Sequence, residues 1–212
     1  MPPAGLIRGG ARNRRDRISW QLSERQCRMV IDSGLEALAQ GFPMSRFITL
    51  AWGLAGIDAD HAVAATGAFI DKAREWTRHH GHAMPWAWVQ ECGDTFGQHA
   101  HILLHVPPKL AELFRPMPAR WAKAILSGRY ARGTVQSQRL RAASIAESSP
   151  WQYRAELLGK LNYMLKCAPP ELEQELGLAG YGHKPWGQRT RVIGKRAGVW
   201  QRRESYRRVG GG

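Results

Sequence analysis

The chain has 212 residues, with 31 Lys and Arg against 17 Asp and Glu and a formal net charge of +14. A hydrophobic content of 43% with nine Trp is too apolar for a disordered basic protein, so a core forms and the charge lies on its surface. The length matches one domain with tails and excludes a nuclease joined to a full helicase or ATPase module, while the positive excess points to a polyanionic partner, nucleic acid ahead of a membrane surface.

Residues 1–18 set Arg8, Arg12, Arg14, Arg15 and Arg17 among Gly and Pro and read as a flexible basic arm. Ser23 with Gln26 forms a capping-box pattern that opens a helix running to Ala39, before Gly41 and Pro43. Arg46 to Trp52 is β-branched and aromatic and reads as a central strand. Asp58 or Asp60 then caps a long helix that ends near Gly81. Pro85 to Glu91 and Gln98 to Val106 read as an antiparallel strand pair joined by Cys92 to Gly97. A helix disturbed by Pro116 and Pro118 follows over Lys109 to Leu126, and Thr134 to Leu140 is a candidate strand in an ambiguous stretch. Ser149-Pro150 marks another helix start, an N-cap with Pro at the first helical position, continuing to about Lys166. From His183 onward there are nine Lys or Arg and one acidic residue, Glu204. Residues 169–212 therefore read as a second basic tail, with a short strand at Arg191 to Ile193.

No apolar run approaches the roughly 18 to 20 residues of a membrane span, and no leader pattern opens the chain, so a cytoplasmic location is expected. Cys27, Cys92 and Cys167 are odd in number, lack CxxC spacing, and read as small buried hydrophobes.

The chemistry concentrates in Gln98 to Val106. Alternation sends His99, His101, Leu103 and His105 to one face and Ala100, Ile102, Leu104 and Val106 to a core face. Two imidazoles then stand on the same side of a buried strand. Glu91, eight residues earlier on the partner strand, comes beside them by antiparallel pairing. Two His and one carboxylate leave coordination positions open, which suits Mg²⁺ or Mn²⁺ holding substrate oxygens better than a closed zinc site. The competing reading is polar residues on a solvated sheet face. His105 lies too far along the strand for the same ion, and His79, His80 and His82 sit at a helix C-terminus, where imidazoles meet the dipole and the last carbonyls. Tyr163 and Lys166, at i and i+3 on the last helix, place a hydroxyl beside an ammonium. Taken alone, Tyr163 reads as a core-edge tyrosine.

The order Phe47-Ile48-Thr49-Leu50, then Glu91 with His99-Ala100-His101, then Tyr163-Met164-Leu165-Lys166 resembles the three-motif pattern of rolling-circle replication initiators (Rep proteins) of the HUH endonuclease superfamily, single-tyrosine type. Ala100 departs from it, being small where that family prefers a bulky residue between the histidines. The resemblance spans about residues 45–168, and residues 19–168 form the domain it implies. It implies an α+β fold, an antiparallel sheet of about five strands flanked by helices, with the active site on the open sheet face. It also implies a metal ion at Glu91, His99 and His101, Tyr163 as the nucleophile that nicks single-stranded DNA, and Lys166 as its charge partner. Arg12, Arg14, Arg15, Arg189, Arg191, Lys195 and Arg196 would grip phosphates, and a host helicase would supply unwinding. Three alternatives stay open: a non-catalytic nucleic-acid-binding module with an RRM-like sheet, a metal-dependent phosphoesterase that uses water in place of Tyr163, and a transposase-type HUH enzyme.

Overall fold

The structure is a computed structural model that describes residues 16–182 and 185–201. In chain order the elements are β1 (Ile18–Ser19), α1 (Glu24–Ala39), β2 (Arg46–Leu50), α2 (Ala59–His79), β3 (Trp86–Gly93), β4 (Gly97–Leu104), α3 (Ala111–Phe114), α4 (Met117–Leu126), β5 (Val135–Arg139), α5 (Pro150–Met164), α6 (Glu171–Glu175), β6 (Val192–Ile193) and β7 (Ala197–Val199). The fold is α+β, as expected. Five strands form one antiparallel sheet in the order β5-β2-β4-β3-β7, and β1 pairs with β6 in a separate ribbon.

Local chemistry accounts for the main boundaries. Ser23 accepts from the Gln26 amide while the Gln26 side chain reaches back to the Ser23 backbone, which satisfies two amides at the start of α1. Asp58 accepts from the His61 amide and caps α2. At the other end of α2 the His80 imidazole bonds the Trp76 carbonyl, 2.8 Å away. The β3–β4 turn closes on Gly97, whose φ of +56° lies in the region glycine favours, and pairs Gly93 with Gly97.

Alternation along the strands splits the core in two. Ile48, Leu50, Trp88, Ala100, Ile102 and Leu104 face α2 and α4. Phe47, Ala87, Val89 and Leu103 face the other way and pack with Val30, Ile31 and Ala37 of α1 and with Leu157, Leu161 and Met164 of α5. The face that carries His99 and His101 is therefore roofed by two helices, which corrects the expected open sheet face. What remains uncovered is its margin at the edge strand β5, where Gln136 and Gln138 are exposed.

The fold also continues past Ala168. Leu172, Leu178, Trp186, Val192 and Ala197 are buried in the same core as α1 and α5, and β7 forms the sheet edge beside β3. A tail over 169–212 is thus corrected for residues up to 201. The sum of charges concealed apolar residues spaced between the basic ones. Arg12, Arg14 and Arg15, and the residues after 201, lie outside the described part. Among the described residues, no helix is long and apolar enough to cross a membrane.

Candidate active site

Register assembles the site. Glu91 and His99 are direct partners across β3 and β4, and His101 faces Thr49 across β4 and β2. All four point to the face beneath α5. Glu91 and His101 are each 1% exposed and His99 is 6% exposed, so the group lies nearly out of water.

Glu91 Oε2 stands 3.1 Å from His99 Nε2 and 3.6 Å from His101 Nε2. The ligand atoms of the three residues all fall within 4.8 Å of one another, close enough to hold one metal ion. The remaining ring nitrogens are tied down from behind. His99 Nδ1 meets the Gly97 carbonyl at 2.9 Å and His101 Nδ1 meets Thr49 Oγ1 at 3.0 Å. A carbonyl only accepts, so the Gly97 contact places a proton on His99 Nδ1 and aims Nε2 at Glu91. Two imidazole nitrogens and a carboxylate that converge on one point, each ring held from outside, form a cup that could hold a metal ion. Glu91 Oε1 adds to this: it is buried with no hydrogen-bond partner among the described residues, an acceptor that a cation would satisfy.

Lys166 completes the cluster. Its ammonium contacts Glu91 Oε2 and lies 3.2 Å from His101 Nε2, supplying positive charge between the carboxylate and that ring nitrogen. Burial raises the Glu91 carboxyl, but the His101 and His99 imidazoles and the Lys166 ammonium outweigh it and hold the group well below its ordinary range. Burial pushes His101 down to about 4 despite the neighbouring carboxylate, a shift toward the neutral form that can ligate.

Tyr163 is half-buried beside this group. Its ring meets His101 edge-on at 4.9 Å and Phe47 at 5.9 Å, and the Lys166 ammonium lies 4.4 Å from its centroid. Phe47 stacks on His101 at 5.5 Å and 17°. Helix α5 ends at Met164, so Lys166 falls in the turn beyond it instead of on the helical face, yet the side chains still meet. The structure thus gathers Glu91, His99, His101, Tyr163 and Lys166 in one place. Thr49 and Phe47, named from sequence only as part of the apolar strand motif, and the Gly97 carbonyl join them. The signal for the first two was their period-2 placement with the apolar strand residues.

The remaining predicted site residues lie elsewhere. Arg189, Arg191 and Lys195 are exposed. Arg196 is corrected: it is 1% exposed, and its guanidinium donates to Ser19 Oγ, the Ser19 carbonyl, Thr190 Oγ1 and the Thr190 carbonyl. It clasps β1 to the segment before β6 and has no hand free for DNA. His105 stands apart from the cluster, bonded through Nδ1 to the Pro43 carbonyl at 2.8 Å.

Comparison with protein-family models, with curated proteins and with solved structures returns no match.

Proposed function

We propose that the protein is a metal-dependent nickase and strand transferase for single-stranded DNA, working through a covalent 5′-phosphotyrosine intermediate. One observation carries this reading: a half-buried tyrosine ring lies edge-on against an imidazole of a buried Glu-His-His cup, with a lysine ammonium bridging the two. The oxygen and nitrogen donors with open positions favour Mg²⁺ or Mn²⁺, which when bound would draw charge from the non-bridging oxygens of the scissile phosphate. Glu91, His99 and His101 would hold that ion, with Thr49 and the Gly97 carbonyl keeping the rings aimed. Tyr163 would attack phosphorus in line. The phenol gives up its proton, the new tyrosyl oxygen–phosphorus bond forms, and the bond to the 3′ oxygen breaks to leave a 3′-OH. The reverse attack rejoins the strand without an external energy source. Lys166 would stabilise the phenolate and the charge on the phosphate as a point charge. In this reading the partners are single-stranded DNA and a separate helicase that exposes it.

The test is incubation with end-labelled single-stranded DNA and Mn²⁺ or Mg²⁺, followed by a denaturing gel. A protein–DNA adduct is expected that disappears in EDTA and in Tyr163→Phe. His99→Ala and His101→Ala should lose cleavage while still binding DNA. Cleavage that persists in Tyr163→Phe overturns the tyrosine step in favour of water as nucleophile, and binding with no cleavage by the wild type favours a binding module.

A further inference from the structure

The cup is buried, so a scissile phosphate needs a way in. Among the described residues, the margin at β5 offers one. Along α5, Glu156, Lys160 and Tyr163 fall at i, i+4 and i+7 and share one face, which turns toward the exposed edge strand β5. Between them runs a groove lined by Gln138, Arg139, Arg141, Ser144, Glu156 and Lys160.

The charges in this groove are unbalanced. Glu156 is its one acid, and both of its oxygens are already engaged by backbone amides, Arg141 at 3.1 Å and Ala142 at 2.8 Å. Arg139, Arg141 and Lys160 form no ion pair with any described residue. Arg139 also sits directly opposite Arg46 in the β2–β5 register, and like charges facing each other across strands are unfavourable. Burial first, and then the charge of Arg139, depresses the Arg46 guanidinium. A fold that lines one edge with uncompensated cations is complementary to a chain of phosphates. The inner end of the groove leads to the nucleophile: the Lys160 ammonium lies 5.0 Å from the Phe47 centroid, and Phe47 touches both Tyr163 and His101.

We infer that this groove is the entry track for a single-stranded polynucleotide, its phosphates held by Arg139, Arg141 and Lys160 as the strand passes from the β5 edge to Tyr163. The proposal rests on the nicking reading for what happens at the inner end, but the track itself is a binding site with its own readout. An unpaired strand is the fitting occupant because a rigid duplex cannot bend under α5 to reach a buried cup. Gln138, already hydrogen-bonded to Lys160 at 3.2 Å, is placed to meet a base or sugar beside the phosphates.

Fluorescence anisotropy of a labelled oligothymidylate across a salt series, in EDTA to prevent cleavage, tests the track. Each phosphate contact on a single strand contributes about 0.7 to the slope of log affinity against log salt, so Arg141→Gln with Lys160→Gln should lower the slope by about 1.4. Affinity near 0.1 M salt should fall by on the order of tenfold. Arg74→Gln with Arg78→Gln, on α2 across the sheet, removes the same charge and should leave slope and affinity near wild type. Circular dichroism of both variants checks that the fold is kept. Equal weakening in the two pairs, a wild-type slope in the groove variant, or tighter binding of the duplex than of the single strand overturns the track. The adduct assay separates this from the chemistry. Groove-dependent binding by a wild type that forms no adduct ends the nicking reading and keeps the track, and adduct formation with groove-independent binding does the reverse.

Discussion

At the residue scale the site depends on groups outside the Glu91, His99 and His101 cup. Thr49 Oγ1 fixes the His101 ring from behind, and such partners typically contribute ten- to a hundredfold in metal affinity. Thr49→Val keeps the shape and removes the hydroxyl, so Mn²⁺ affinity measured by calorimetry should drop by about tenfold or more while the Phe47–His101 stack remains. His99, His101 and Glu91 were legible in the sequence because period-2 alternation and an eight-residue hairpin are local patterns. Thr49 was not, because it meets His101 from another strand and nothing local sets the register of β2 on β4. His105 gives a pH signature outside the site. Burial depresses its imidazole, with the Pro43 carbonyl opposing, so the unfolded chain takes up a proton at higher pH than the folded one. Stability should therefore be full above the ordinary histidine range and fall as the solution is acidified through it. In urea titrations at stepped pH, His105→Gln should flatten that decline, and an unchanged decline would remove His105 as its source.

At the element scale, two serines that both read as helix N-caps behave differently. Ser23 makes both bonds of its capping box, whereas Ser149, ahead of Pro150, makes no side-chain bond to its helix. Ser23→Ala should cost about 1 kcal/mol in denaturant unfolding and Ser149→Ala close to nothing. A sequence reveals where a helix starts more readily than whether its cap closes, since closure depends on the conformation of the chain entering it. Ser149 enters at φ −140° and ψ 67°, unlike the extended Ser23. The β3–β4 turn shows the same dependence on distant backbone. A Cβ on Gly53 would lie 2.5 Å from the Phe96 carbonyl oxygen and 2.8 Å from Gly97 Cα, so the turn that aims His99 is held by a chain segment far from it in sequence.

For the whole molecule, alternation and capping located most of the helices and strands and the resemblance implied their α+β arrangement, but neither gave the extent of the fold. The segment after Ala168 reads as basic and hides Leu172, Leu178, Trp186, Val192 and Ala197 in the core. A chain ending at Ala168 should lose cooperative thermal unfolding by circular dichroism, because it strips the roofed core of these residues and β3 of its neighbour. A sharp transition retained in that truncation would restore the segment to the status of a tail. The position of β7 also sets an order of events. Ala87 and Val89, on the strand that carries Glu91, pair with Val199 and Ala197, which are made long after the β3–β4 hairpin and β2 can join. Until then β3 lacks its neighbour and its margin is a bare strand edge of the kind that recruits other chains, so the last strand to be made is also the one that closes the sheet against association.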